Sequence, residues 1–147
     1  MDYPPAYTLS AALYQLLAHP DMYQRLREEL TTAIPDRSQI PAYAQLEALP
    51  YLHAVMQEVL RLHPGVVSRL ARVSPTRPIE YVDQERGRTY VLPPGTPTSM
   101  TSQIAHMNSK VFEEPHTFNP QRWIDNDNRR LERAFVGFAR GTRNCIG

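Results

Sequence analysis

Residues 138–147 read FARGTRNCIG and carry the strongest structural signal in the chain. They hold the single cysteine, Cys145, in a frame that fits the pattern FxxGxRxCxG. Five fixed positions at ~1 in 20 each match by chance on the order of 10⁻⁵ to 10⁻⁴ times in a chain of this length. A free cysteine without such a frame is most often a small buried hydrophobic residue. The frame therefore favours a functional thiol over a residue that only packs.

The composition is that of one ordinary domain. The chain has 147 residues, of which 41% are hydrophobic and 21% charged, so disorder is not expected. A formal net charge of +1 gives no indication of nucleic acid or of an anionic membrane as partner. One cysteine excludes an internal disulfide. The apolar runs are shorter than the ~20 residues that span a bilayer, so no membrane anchor is expected in this chain.

Proline and glycine divide the chain into mainly helical segments with small β pieces. Helices are predicted over 6–18, which is apolar enough to be buried, over 22–34 with Asp21 as its cap, and briefly over 42–49. A strand is predicted over 66–73, followed by short strands joined by turns at 85–88 and 93–95. A short helix over 102–112 and a long ordered loop over 113–130 come next.

The clearest helix, over 51–65, carries Glu58 and Arg61 three residues apart and hence on one face. This ExxR pattern is weak alone, because residues 85–88 match it within a glycine turn. The alternative to a functional pair is an ordinary surface ion pair, worth ~0.3–0.5 kcal/mol. The apolar stripe of this helix is predicted to comprise Leu52, Val55, Met56, Val59 and Leu62.

The cysteine stretch resembles the haem-ligand loop of the cytochrome P-450 superfamily, the haem-thiolate monooxygenases. The resemblance implies that Cys145 is the axial thiolate on the iron of haem b, where it pushes electron density onto iron. It also implies that Gly141 lets the backbone turn beneath the porphyrin, that Arg143 pairs with a haem propionate and that Phe138 shields the sulfur side from water.

Two earlier segments strengthen the resemblance. In the family the ExxR pair joins an arginine from a proline-flanked loop, and "FNPQRW" supplies Arg122, so Glu58, Arg61 and Arg122 are implied to form a buried structural network. Gln121 departs from the glutamate usual beside that arginine. In "SRLARV", Arg72 aligns with a basic residue that often reaches a propionate; a solvated strand arginine is the alternative.

The resemblance covers nearly the whole chain but only the C-terminal part of the family fold. Residues 1–147 are thus expected to be a partial, incomplete P-450 domain, from the end of the long central helix through the cysteine loop. Pro4 and Pro5 stand near the place where the family carries its acid–alcohol proton relay, and the helix that follows the cysteine in the family lies beyond Gly147. No catalytic residue is therefore assigned, and the chain by itself is expected to be inactive.

By resemblance, the function is insertion of oxygen from O₂ into a small organic substrate, with electrons from a reductase. The alternatives are a catalytically inactive haem-binding or interaction fragment, or a piece that does not fold alone. A full-length eukaryotic relative would be expected at the endoplasmic reticulum membrane. Zinc is not expected, because His106, His116 and Cys145 lack the close spacing of a zinc site.

Basic residues dominate the C-terminal segment. Residues 129–147 hold five arginines and one glutamate. This face could meet an acidic electron donor, or it could be an ordinary solvated loop face.

Overall fold

The structure, a computed structural model, describes residues 4–36, 38–39, 41–124 and 129–146. The chain divides into two compact units, residues 1–67 with 102–147, and residues 68–101. The first unit is helical, with α1 (Pro4–Ala18), α2 (Pro20–Ala33), α3 (Tyr43–Glu47), α4 (Pro50–Leu62), α5 (Ser102–His106) and α6 (Arg129–Ala134). Two 3₁₀ turns lie at Pro120–Trp123 and Gly141–Arg143. The predicted mainly α fold with small β pieces is confirmed.

The second unit consists of two antiparallel pairs of short strands. Strand β1 (Arg72–Val73) pairs with β4 (Pro97–Thr98), and β2 (Ile79–Asp83) pairs with β3 (Arg88–Leu92). The predicted turns are confirmed: Gly87 has φ 61° and Gly95 has φ 83°, the left-handed region that glycine adopts without steric cost. The predicted strand over 66–73 is wrong except for its last two residues, because only those two have a partner strand among the described residues.

Helix α4 lies at the centre of the first unit. Its buried apolar residues pack with Leu26 of α2 and with Phe118 from the loop before the first 3₁₀ turn. The buried face is rotated from the predicted stripe, since Met56 is 55% exposed whereas Glu58 and Arg61 are fully buried. The buried positions of α4 are Tyr51, Ala54, Val55, Glu58, Val59 and Arg61. The polar pair therefore lies inside the unit and not on its surface.

Helix α2 stabilises the start of α4 through a carboxylate. Both oxygens of Glu29 accept hydrogen bonds, from the N–H groups of Tyr51 and Leu52, at 2.8 Å each. These N–H groups belong to the first helical turn and have no partner within the helix. The negative charge also complements the positive end of the helix dipole. This contact fixes the position of α4 relative to α2.

Helix α1 departs from prediction in its environment. It was expected to be buried, but Leu9, Leu13 and Leu17 are each more than 60% exposed. Within the described part of the chain, α2 and α4 pack only against the face that carries Ala12 and Leu16. Its first residues are Pro4 and Pro5, which a helix tolerates in its first turn.

Three further predictions need correction. Asp21 does not cap α2; the N-cap residue is His19, and Asp21 lies within the first turn, where its charge favours the helix dipole. The helix expected over 102–112 ends at His106. The loop expected over 113–130 includes the 3₁₀ turn at Pro120–Trp123, and α6 begins at Arg129; residues 125–128 lie outside the described residues. No helix in the described ranges is both long and apolar enough to cross a membrane.

Candidate functional site

The loop around Cys145 is closed by its own backbone. The N–H of Cys145 donates to the carbonyl of Phe138 at 2.9 Å, and the N–H of Asn144 donates to the carbonyl of Gly141 at 3.2 Å. Cys145 is exposed. The loop therefore presents its thiol at the surface of the first unit while the backbone around it is hydrogen-bonded.

The backbone conformation at position 141 favours glycine, whereas the space around it would accommodate a side chain. Its φ is 81°, and apart from its chain neighbours a Cβ at this position would have no heavy atom within 4 Å. A side chain would thus strain the backbone without striking another group. Ala139 also has a positive φ of 59°, so two of the three residues from 139 to 141 have a left-handed backbone conformation. A non-glycine residue keeps this conformation only where the surrounding structure stabilises it.

The carboxylate of Glu58 is fully buried and accepts five hydrogen bonds. Arg61 donates two of them, from Nη2 to Oε1 at 2.7 Å and from Nε to Oε2 at 2.9 Å. The Nε of Arg122 donates to Oε1 at 3.1 Å. The N–H of Asn119 donates to Oε1 at 3.0 Å, and the indole Nε1 of Trp123 donates to Oε2 at 2.8 Å. The carboxylate thus joins α4 to the first 3₁₀ turn, Pro120–Trp123.

Backbone carbonyls take up the remaining donors of the two arginines. Nη1 of Arg61 donates to the carbonyls of His106 at 3.0 Å and Pro115 at 2.6 Å. Nη1 of Arg122 donates to the carbonyl of Glu113 at 2.8 Å. One carboxylate faces two guanidinium groups here, and carbonyl dipoles offset the excess positive charge. The irregular segment between α5 and the 3₁₀ turn is therefore held by arginine–carbonyl contacts.

The structure brings together some of the predicted site residues. Glu58, Arg61 and Arg122 meet in one hydrogen-bonded cluster. Phe138, Gly141, Arg143 and Cys145 share one loop, in which Phe138 is 53% exposed. Arg72 lies in the second unit, where it donates to the carbonyls of its neighbours Leu70 and Ala71 at 3.2 Å each. The roles of the loop residues and of Arg72 toward haem stay predictions.

Sequence reasoning missed the parts played by Trp123 and His106. The single tryptophan follows Arg122 directly, but no rule of spacing indicates that its indole binds Glu58. His106 was considered only as a zinc ligand. Within the described residues there is no group of three His, Cys, Asp or Glu side chains that could hold a metal ion. His106 is instead buried between α4 and the segment after α6.

Comparison with known proteins agrees with this geometry. A sequence profile of the family described as Cytochrome P450 matches residues 5–147. The chain belongs to the cytochrome P450 family. It is 44% identical over 142 residues to Cytochrome P450 monooxygenase tpcC of Cochliobolus heterostrophus, an alignment that covers 97% of this chain and 27% of that protein.

Other fungal P450 relatives show the same coverage. Cytochrome P450 monooxygenase astB of Talaromyces wortmannii is 42% identical over 97% of this chain and 28% of its own length. Fusicoccadiene C-8 hydroxylase of Phomopsis amygdali is 37% identical over 97% of this chain and 26% of its own length. The chain thus spans little more than a quarter of the length of these curated P450 relatives. The family resemblance inferred from the motifs is confirmed.

The P450 family implies haem, and the donor set of the cysteine loop fits that group. Cys145 offers a soft sulfur donor at the surface, which suits iron. Arg143 is exposed two residues away and makes no salt bridge with the carboxylates that the structure describes. A cation in that position suits a propionate. The arginines of the Glu58 cluster are already engaged and do not compete for this role.

Replacing Glu58 tests whether its cluster stabilises the fold. Glu58→Ala leaves two guanidinium groups without their buried counter-ion, so we expect the free energy of unfolding to fall by ~3–5 kcal/mol. The control is Glu85→Ala, which changes the other ExxR match in an exposed turn and should leave that free energy close to the parent value. Urea unfolding followed by circular dichroism measures both variants. Equal losses of stability in the two variants would contradict a structural role for the cluster.

Proposed function

We propose that this chain binds haem b through Cys145 and forms the ligand-bearing part of a monooxygenase that inserts oxygen from O₂ into a small organic substrate. The observation that carries the proposal is the surface loop that presents a single thiol within a P450 family match. Monooxygenase relatives that align with almost the whole chain support it.

When bound, haem with a thiolate ligand supplies the oxygen chemistry, because the thiolate favours O–O cleavage. The chain's own residues bind and orient the group. Cys145 would supply the sulfur, and Arg143 and Arg72 are the proposed partners of the propionates through charge-assisted contacts. The left-handed backbone conformation of Gly141 would let the loop turn beneath the ring, and Phe138 would shield the sulfur side from water.

The Glu58 cluster has a supporting role in this proposal. Glu58 and Arg61 are fully buried and engaged in hydrogen bonds, so they are not available to touch a substrate. They hold the segment between α5 and the 3₁₀ turn against α4. We therefore assign no catalytic residue within this chain.

The substrate stays at the level of a class. One relative is named for hydroxylating fusicoccadiene at C-8, which supports hydroxylation of a carbon in an organic molecule. The alternative function is a catalytically inactive haem-binding or interaction fragment. Oxygenated product, formed in step with reductase electrons and above a haem-only control, separates the first function from the second.

The haem ligand is tested by removing the thiol. Cys145→Ser should abolish the thiolate-type absorbance of the reduced carbon monoxide complex, because the chain has no other cysteine. Thr142→Ser changes the same exposed loop conservatively and should retain that absorbance. A thiolate-type spectrum that persists in Cys145→Ser would exclude Cys145 as the ligand.

The electron donor is proposed to dock on the arginine-rich segment 129–143. Arg129, Arg130, Arg133 and Arg140 are exposed there. Attraction to an acidic donor weakens as salt screens the charges. We expect donor binding, measured by titration calorimetry, to weaken as ionic strength rises, and to weaken several-fold in Arg133→Gln. Arg88→Gln, an equal charge change in strand β3, serves as the control. Binding indifferent to salt would favour an ordinary solvated face.

A further inference from the structure

We propose that His106 is a positioning residue for the cysteine loop, because its imidazole links the backbone of α4 to the backbone that leads into that loop. The proposal concerns how the loop is held. It rests on the proposed function only in taking Cys145 as the haem ligand.

The imidazole makes one hydrogen bond on each side. Nδ1 lies 3.0 Å from the carbonyl oxygen of Arg61, and the N–H of Val136 lies 3.0 Å from Nε2. A carbonyl can only accept and an N–H can only donate, so Nδ1 carries the proton and Nε2 presents its lone pair. His106 is fully buried. Both bonds are therefore shielded from water, and a lost partner would leave a buried backbone group unsatisfied.

The ring also packs against the aromatic residue next to Val136. His106 stacks on Phe135 with ring centroids 5.2 Å apart and planes 8° apart. Phe135 in turn meets the ring of Phe138 edge to face, at 6.4 Å. The carbonyl of Phe138 accepts the hydrogen bond from the N–H of Cys145. A continuous series of contacts thus runs from His106 to the thiol-bearing residue.

At its other end His106 is tied to the Glu58 cluster. Its own carbonyl accepts from Nη1 of Arg61 at 3.0 Å, while its ring donates to the carbonyl of Arg61. The two residues therefore exchange two hydrogen bonds, one through each side chain. A shift of Arg61 would therefore move His106 at the end of α5, and with it the Nε2 atom to which the N–H of Val136 donates. The cluster and the cysteine loop, which the sequence presents as separate motifs, are coupled through the hydrogen bonds of this histidine. A second, purely aromatic contact joins Trp123, which binds Glu58, to the ring of Phe135 at 5.8 Å.

The link requires a neutral ring. A proton on Nε2 would point at the N–H of Val136 and break that bond. Burial lowers the pKa of His106 to about 4; Arg61 acts in the same direction by charge, whereas the hydrogen bond to its carbonyl and the charge of Glu58 oppose the shift. The groups that stack or lie edge-on against the ring from the other segments are Phe112 and Phe135, which carry no charge.

Acid should therefore open the link. The opened state has an ordinary histidine and binds a proton more readily than the closed state, so opening becomes easier as pH falls below 6.5 and continues to ease until about 4. For these two values the population of the opened state at about pH 5 is roughly 20-fold larger than at about pH 7, and roughly 30-fold larger than at alkaline pH.

Amide hydrogen exchange on the full chain, measured with and without haem, tests the proposal through the N–H groups of Val136 and Cys145. Three variants separate the contributions of the ring. His106→Gln keeps an acceptor near the Nε2 position, His106→Asn keeps a donor near the Nδ1 position, and His106→Phe keeps only the stacking. We expect both amides to stay protected in His106→Gln and to lose at least tenfold protection in His106→Asn and His106→Phe. Amides of α4 should remain protected and report that the unit is folded.

Two outcomes would overturn the proposal. One is unchanged protection of the Val136 and Cys145 amides in His106→Phe, which would mean that residue 106 contributes only packing. The other is found in the unsubstituted chain: protection of the Val136 amide that does not change between neutral pH and about pH 5, after correction for intrinsic exchange rates. This second measurement does not depend on any variant folding. With haem, the thiolate-type fraction of the carbon monoxide spectrum should follow the same order as the protection. Failure of Cys145→Ser to change that spectrum would reject the haem ligand and leave the exchange result intact.

Discussion

The structure of the helical unit depends on one buried carboxylate. Glu58 lies on α4 with no exposed surface, and a charge in that position is tolerated only when hydrogen bonds and counter-charges replace the water it has lost. The donors come from α4 itself, from Asn119 and from the 3₁₀ turn that carries Arg122 and Trp123. Segments some 60 residues apart in the chain must therefore meet at this point. Hydrophobic packing alone would not specify that register.

The same constraint reaches the cysteine loop. Arg61 is held by Glu58 on one side and exchanges hydrogen bonds with His106 on the other. His106 then holds Val136 and Phe135, and the loop that follows closes on itself through Phe138 and Cys145. The exposed thiol is thus placed by buried groups that never touch it. This arrangement suits a P450 ligand loop, in which the metal-binding sulfur has to be held in a fixed position.

The sequence predicted the elements whose signals are local. The helix around Glu58 follows from its period, and the β2–β3 hairpin turn and the turn before β4 follow from Gly87 and Gly95. The family follows from the motif around Cys145. Long-range features were missed or wrong. The exposure of α1 depends on what packs against it, and the strand over 66–73 depends on a partner. The carbonyls that satisfy Arg61 and Arg122 belong to residues whose side chains give no signal. His106 was considered as a zinc ligand and set aside, and its bridging role was missed because a buried neutral imidazole between two backbone groups has no sequence pattern.

The coupling between Glu58 and Arg122 is the most direct measure of this account. A double-mutant cycle with Glu58→Gln and Arg122→Met compares the free energies of unfolding of the two single variants and the double variant. Since both charged groups lie in a buried cluster, we predict a coupling energy of about 1.5–3 kcal/mol, the range of hydrogen bonds between charged groups. As a control, Glu58→Gln is combined with Arg86→Met in the same way. Because Arg86 pairs with Asp83 and not with Glu58, this cycle should give a coupling energy near zero. A Glu58–Arg122 coupling as small as that of the control would mean that the buried carboxylate does not hold the 3₁₀ turn, and the account would be wrong.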